Sequence, residues 1–171
     1  MKIALVKATE SDIKEIWEMQ VEAFKSLLKK YQDYDMSPAT ETYENILNKY
    51  KQPWTSYYFI TRNNEKVGVI RVIDKKDGSR KRIAPIWIMP AYRNQGLAQL
   101  AMRKVEKIYG SNHWQLDTIL QEQANIYLYE KLGYKRTGEI ENIKDGMDIV
   151  YLIKDEKSCI LSAYFFSFYL F

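Results

Sequence analysis

Apolar positions recur along the chain with two different periods, and the places where the period changes divide it into elements. Residues 2–8 hold a short apolar run, Ile3, Ala4, Leu5 and Val6, that reads as a first strand. Thr9, Glu10, Ser11 and Asp12 follow: a hydroxyl able to accept from a first-turn amide, and two acids that complement the positive end of a helix. Ile13, Ile16, Trp17, Met19, Phe24, Leu27 and Leu28 then return at three- and four-residue steps, predicting one amphipathic helix to about residue 30. Ser37-Pro38 starts a second helix that runs to Tyr50, with serine as cap and proline in the first helical position.

After Pro53 the period becomes two. Residues 54–61 and 66–74 form a hairpin around the turn at 62–65, and 80–89 add a third strand after Asp77-Gly78. Pro85 brings no ladder donor to that third strand, which is therefore expected to bulge or splay. A helix over 96–109, with Leu97, Leu100, Ala101, Val105 and Ile108 inward, is stopped by Gly110. A strand at 114–120, a helix at 122–132 and a hairpin of 134–141 with 147–153 close the pattern. The order β-α-α-β-β-β-α-β-α-β-β predicts one α/β (α+β) domain over residues 1–154, followed by an appended tail at 155–171.

Composition narrows the chemistry. With one His and one Cys in 171 residues, an internal disulfide, a zinc cluster and His-pair catalysis are excluded, and no metal is expected. The net charge of +4 is a mild excess that suits an anionic ligand without making the chain a nucleic-acid binder. The basic residues gathered between Arg62 and Arg82 read as solvated outward positions of the strands, with a nucleic-acid surface as the weaker rival. The apolar run at the N-terminus is too short for a signal peptide, so a cytoplasmic location is expected. The uncharged stretch at 158–171 is shorter than the roughly 20 residues that cross a bilayer, so no membrane partner is expected. It is expected to dock on the domain or to pair with a second chain as a homodimer, or else to have no role.

The informative segment is Ile86-Trp87-Ile88-Met89-Pro90-Ala91-Tyr92-Arg93-Asn94-Gln95-Gly96-Leu97-Ala98, a strand, a proline, a short loop and a glycine at a helix start. A helix N-terminus presents unpaired amides and a partial positive charge, which suit a phosphate or pyrophosphate. Gly96 and Ala98 let an anion approach the backbone, and Arg93 adds a fixed cation. The alternative is a tight turn whose glycine merely relieves crowding.

Arg93-Asn94-Gln95-Gly96-Leu97-Ala98 matches the Gln/Arg-x-x-Gly-x-Gly/Ala motif of the GCN5-related N-acetyltransferases, the GNAT superfamily. Leu128-Tyr129-Glu130-Lys131-Leu132-Gly133-Tyr134 resembles that family's Leu-Tyr-x-Lys-x-Gly-Phe/Tyr signature, and the element order over residues 2–154 also fits. The resemblance implies a central mixed, mostly antiparallel sheet flanked by helices. It implies that the amides of Arg93, Asn94, Gln95, Gly96, Leu97 and Ala98 hold the pyrophosphate of acetyl-CoA. It further implies that Trp87, Ile88 and Met89 pair by backbone with the pantetheine arm, and that Tyr129 is the acid that protonates the departing thiolate. The activity implied is transfer of acetyl from acetyl-CoA to a primary amine, of a small molecule or a peptide, by direct attack in a ternary complex. A non-catalytic acetyl-CoA sensor or interaction module is the alternative.

Two positions depart from the family pattern. Glu122 and Asn125 stand where asparagine and alanine are usual, so Asn125 is expected either to take over the amide contact to pantetheine or to leave it unmade. The strand at 80–89 has no glutamate to act as base, which leaves Glu122, Asp117, Glu41 or a water chain as candidates, each carboxylate reading equally as solvated or structural. Tyr129 also reads as an ordinary packed tyrosine, and His113 as a surface or capping residue. Tyr31, Tyr34 and Glu41 are candidates for the acceptor pocket, whereas Trp17 and Phe24 read as core.

Overall fold

The computed structural model describes residues 2–155; the stretch at 158–171 lies outside them. The elements are β1 (Ala4–Lys7), α1 (Ile13–Tyr31), α2 (Tyr43–Tyr50), β2 (Thr55–Arg62), β3 (Glu65–Ile73), β4 (Lys81–Ile88), α3 (Leu97–Tyr109), β5 (Trp114–Ile119), α4 (Gln123–Lys131), β6 (Lys135–Lys144) and β7 (Met147–Lys154), in the order the sequence predicts. The Thr9 amide and hydroxyl both donate to Asp12 Oδ2 at 2.8 Å and fix the entry to α1. The second helix starts later than expected. Ser37 caps only a single turn, Pro38–Thr40, after which Glu41 is extended. Thr42 then accepts from the Asn45 amide at 3.2 Å and starts α2, because its hydroxyl precedes the periodic residues Tyr43, Ile46, Leu47 and Tyr50. The kink turns Glu41 inward to the site described below.

The strands form one seven-stranded sheet in the order β1-β2-β3-β4-β5-β7-β6, with every neighbour antiparallel except β4 and β5. Each face has its own core. On one, Ile13, Ile16 and Ile46 of α1 and α2 pack on Tyr57, Phe59, Val69 and Trp87. On the other, Leu97, Ala101 and Met102 of α3 and Ile126 of α4 pack on Ile60, Ile70, Val72, Leu116 and Leu152. Burial of this kind contributes about 1.5–3 kcal/mol for each large side chain.

The expected irregularity at Pro85 takes two forms. Ile70 faces Ile86 and Val72 faces Ile83, so Ala84 and Pro85 together oppose the single residue Arg71 in a β-bulge. On its other edge β4 meets β5 only at Lys81↔Trp114 and Arg82↔Gln115. Beyond that point β5 stays with β7, paired from Trp114 to Ile119, while β4 stays with β3. A notch therefore opens through the middle of the sheet.

Gly68 lets β3 hold the far end of β4. A Cβ at this position would lie 2.3 Å from the Trp87 carbonyl oxygen, a backbone atom that cannot rotate away. Gly68→Ala is expected to lower stability by about 1–3 kcal/mol, the usual cost of overpacking, as measured by urea denaturation with the slope unchanged.

Candidate active site

The segment leaving β4 makes one turn at Pro90–Tyr92 and then passes through Arg93, extended, and Asn94, at φ 60°. Gly96, at φ 71°, occupies the N-cap position of α3, and no side chain caps it. The first-turn amides therefore keep their unpaired donors. A Cβ at Gly96 would meet nothing within 4 Å, so glycine is required for its backbone angle and not to relieve crowding. Leu97 is 1% exposed and turns its side chain into the core, leaving only its amide to a ligand. Trp87 and Ile88 are likewise buried, on opposite faces of the sheet, so their strand can offer a ligand only its backbone. Met89 N donates to Val67 O at 2.9 Å. Arg93 is pinned: Nε donates to Ile88 O at 3.1 Å and Nη2 to Ala23 O of α1. Gln95 accepts from Arg62. A ready row of amides beside a fixed guanidinium fits a pyrophosphate.

The notch between β4 and β5 opens into a cavity of about 790 Å³. It is lined from one side of the sheet by Phe24, Tyr31 and Glu41, and from the other by Asn125 and Tyr129 of α4. Asn125 Nδ2 donates to Thr118 Oγ1 at 3.3 Å. Tyr129 is 7% exposed, its ring lies edge-on to Tyr134 with centroids 6.2 Å apart, and none of the described residues bonds its hydroxyl. Burial, helped by the negative charge of Asp117, pushes the phenol up to about 12. It therefore carries its proton throughout the neutral range.

The three carboxylates considered as bases are all engaged. Glu122 accepts from Lys30 Nζ and Tyr31 Oη, each at 2.6 Å; burial alone would raise its pKa, but these two hydrogen bonds hold it below the ordinary value. Asp117 pairs with Arg82. Glu41 pairs with Lys49 and accepts from Gln20 Nε2 at 2.9 Å, and its carbonyl takes Trp17 Nε1 at 2.8 Å. Tyr31, Tyr34 and Glu41 all line the cavity, and so does Phe24, which also packs on the core as its position in the helical pattern predicts. Phe24 also packs edge-on against Trp87. His113 sits at the surface and binds the Gly78 carbonyl at 3.0 Å.

One residue of the site escaped the sequence reading. Arg71 belongs to the basic stretch assigned to outward positions, yet it is 7% exposed and lines the cavity. The signal was a lone charge inside the apolar strand Val67-Gly68-Val69-Ile70-Arg71-Val72-Ile73. Among the described residues no group of three or more His, Cys, Asp or Glu could hold a metal ion, and no helix is long and apolar enough to cross a membrane.

An open seven-stranded sheet parted between its fourth and fifth strands, with an uncapped helix after the fourth, frames the candidate site. The acetyltransferase (GNAT) family model matches residues 13–134, and the chain belongs to that family. It is an acetyl-CoA-dependent N-acetyltransferase. No curated protein sequence matches it. Among solved structures it is similar to a ribosomal-protein alanine N-acetyltransferase from Escherichia coli, with TM-score 0.69, 14% identity and 94% and 99% of the two chains covered. It is also similar to the PaiA N-acetyltransferase from Thermoplasma acidophilum in complex with coenzyme A (0.66, 21%, 90% and 99%). A third is spermidine N-acetyltransferase from Vibrio cholerae in complex with coenzyme A and spermine (0.68, 15%, 88% and 93%).

Burial also pushes Tyr57 and Tyr58 up to about 12 from an ordinary value of 10.0, as it does Tyr129. Groups raised by folding stabilise fully below the unfolded value and lose that contribution as pH climbs through the folded one. Unfolding free energy is therefore expected to fall as pH rises from 10 to 12, with tyrosinate absorbance appearing late and together with unfolding. Early, gradual ionisation of these tyrosines in the folded protein would contradict their burial.

Proposed function

We propose that the chain acetylates a primary amine by direct attack in a ternary complex, with the donor along the loop of residues 93–98 and the acceptor in the cavity beneath α1. The observation that carries this reading is Tyr129, a protonated, unbonded phenol at the wall of a cavity that opens where β4 and β5 part. Acetyl-CoA supplies an activated acetyl group, which an amine takes with loss of a thiolate. The residues of this chain then have three tasks. The amides of Gly96, Leu97 and Ala98, with Asn94 and Gln95 shaping the loop, hold the pyrophosphate, and Arg93 keeps that loop in register with Ile88. The β4 edge at Trp87, Ile88 and Met89, unpaired toward β5, offers backbone groups to the pantetheine arm, with Asn125 across the notch as a further amide partner. Tyr129 Oη gives its proton to the departing sulfur, and the proton that the acetylated nitrogen sheds leaves through water, by which the phenol is restored. Relatives of this fold acting on a ribosomal-protein alanine and on spermidine support an amine acceptor.

Thiol release from acetyl-CoA over a panel of amines tests the reaction; silence on every amine, with coenzyme A still bound, would overturn it. Tyr129→Phe should lower kcat by roughly 10²-fold and leave the affinity for coenzyme A intact, since only a proton donor is lost. Undiminished kcat in that variant would remove Tyr129 from the mechanism. Gly96→Glu puts a charged side chain at φ +71° beside the proposed phosphate site, and calorimetry should find coenzyme A binding abolished. Retained affinity would displace the loop from its proposed role.

A further inference from the structure

Arg71 lies on the α1 and α2 side of β3, directly across from Tyr57 on β2 and opposite the Ala84–Pro85 bulge. A guanidinium cannot shed its charge in a protein, so a permanent cation sits here at 7% exposure. Its partners are few. Nη1 donates to Ala84 O at 3.0 Å, and the guanidinium carbon stands 5.7 Å from the Tyr57 ring centroid. Nε is buried with no hydrogen-bond partner, and Nη2 also carries no bond among the described residues. Nε is sealed from the cavity, whereas Nη2 keeps accessible surface and can donate a charged hydrogen bond to an entering carboxylate.

The carboxylates nearby do not fill this edge. Glu41 is held by Lys49 and Gln20, and Asp117 by Arg82, so neither forms an ion pair with Arg71. A buried cation with no carboxylate in ion-pair contact is costly even with Glu41 acting on it through space, and the sealed Nε donor adds to that cost. Arg71 nevertheless lines the 790 Å³ cavity, where an entering molecule can reach it. The same cavity is lined by Asp33, Asp35, Glu41, Asp117 and Glu141 against Lys49, Arg71 and Arg82, so acids outnumber cations even after Glu41 and Asp117 are paired. Those acids disfavour a doubly charged phosphate but suit a molecule that is cationic at one place and singly anionic at another.

Building on the acceptor reading of this cavity, we propose that the acceptor is an amine that also bears a carboxylate, an amino-acid-like substrate whose carboxylate accepts from Nη2 of Arg71. The carboxylate is then anchored on the sheet beside the bulge, and the amine extends along the cavity toward the notch. A simple polyamine has no group for Arg71 and leaves the buried cation as it is.

The test compares acceptors that differ only by a carboxylate, L-lysine with 1,5-diaminopentane and L-ornithine with 1,4-diaminobutane, in thiol release from acetyl-CoA. Wild-type protein is expected to favour the amino acid of each pair by roughly 10- to 100-fold in kcat/KM, the range of a charged hydrogen-bonded pair. Arg71→Gln should erase that preference through KM and leave coenzyme A affinity intact, while Arg71→Lys should restore part of it. The wild-type comparison stands even where a variant fails to fold. Equal use of both members of each pair, or preference for the diamines, overturns this inference while leaving acetyl transfer to amines in place. Failure to acetylate any amine overturns the acceptor reading itself.

Discussion

Everything at the site depends on β4 and β5 releasing each other after two residue pairs. Such a defect in the middle of a sheet is costly, because backbone groups on two facing edges lose their ladder partners. It persists because each strand has a second neighbour that it keeps. β5 is paired with β7 along its whole length, and β4 with β3 on both sides of the bulge. The bulge supplies the divergence: with Ala84 and Pro85 set against Arg71 alone, β4 bends and the local twist increases. Proline at that point removes a donor that would otherwise have sought a partner.

The cavity is closed over by α1, and polar contacts decide how α1 lies. Lys30 and Tyr31 at its C-terminal end grip Glu122 at the start of α4, across the notch. Lys144 Nζ reaches the Gln32 carbonyl at 3.1 Å from the β6–β7 hairpin, and Arg93 reaches Ala23 O from the loop before α3. The exposed Lys30–Glu122 pair contributes about 0–1 kcal/mol, so it and the hydrogen bonds beside it position the helix, while the buried Ile13, Ile16 and Ala23 hold it to the sheet.

Much of this was legible in the chain itself. The change from a helical to an alternating pattern after Pro53 marked every element in order, because amphipathic helices and half-buried strands are both imposed by where the core lies. Pro85 announced the irregular strand, since a residue without an amide donor cannot sit in an unbroken ladder. Gly96, with Arg93 and Ala98 around it, marked the uncapped helix start. The start of α2 was misplaced because Ser37 and Thr42 are both competent caps, and only packing of Ile46 against the sheet chose between them. Arg71 was hidden for a different reason. Charge counted along a segment says nothing of which face of a strand bears it, and the bulge that places Arg71 against Ala84 is a property of two strands together. The engagement of Glu41, Asp117 and Glu122 was likewise invisible, as their partners come from distant segments.

A β-sheet is ordinarily a wall: what packs on one face never touches what packs on the other. Here the cavity is lined by α1 from one face and by α4 from the other, so the parted strands make the wall into a doorway. Two molecules approaching from different sides can each be recognised by its own set of walls and still present their reacting groups to one another in the plane of the sheet. On the proposed reading, residues on the acceptor's side can then change one by one without disturbing those on the donor's side.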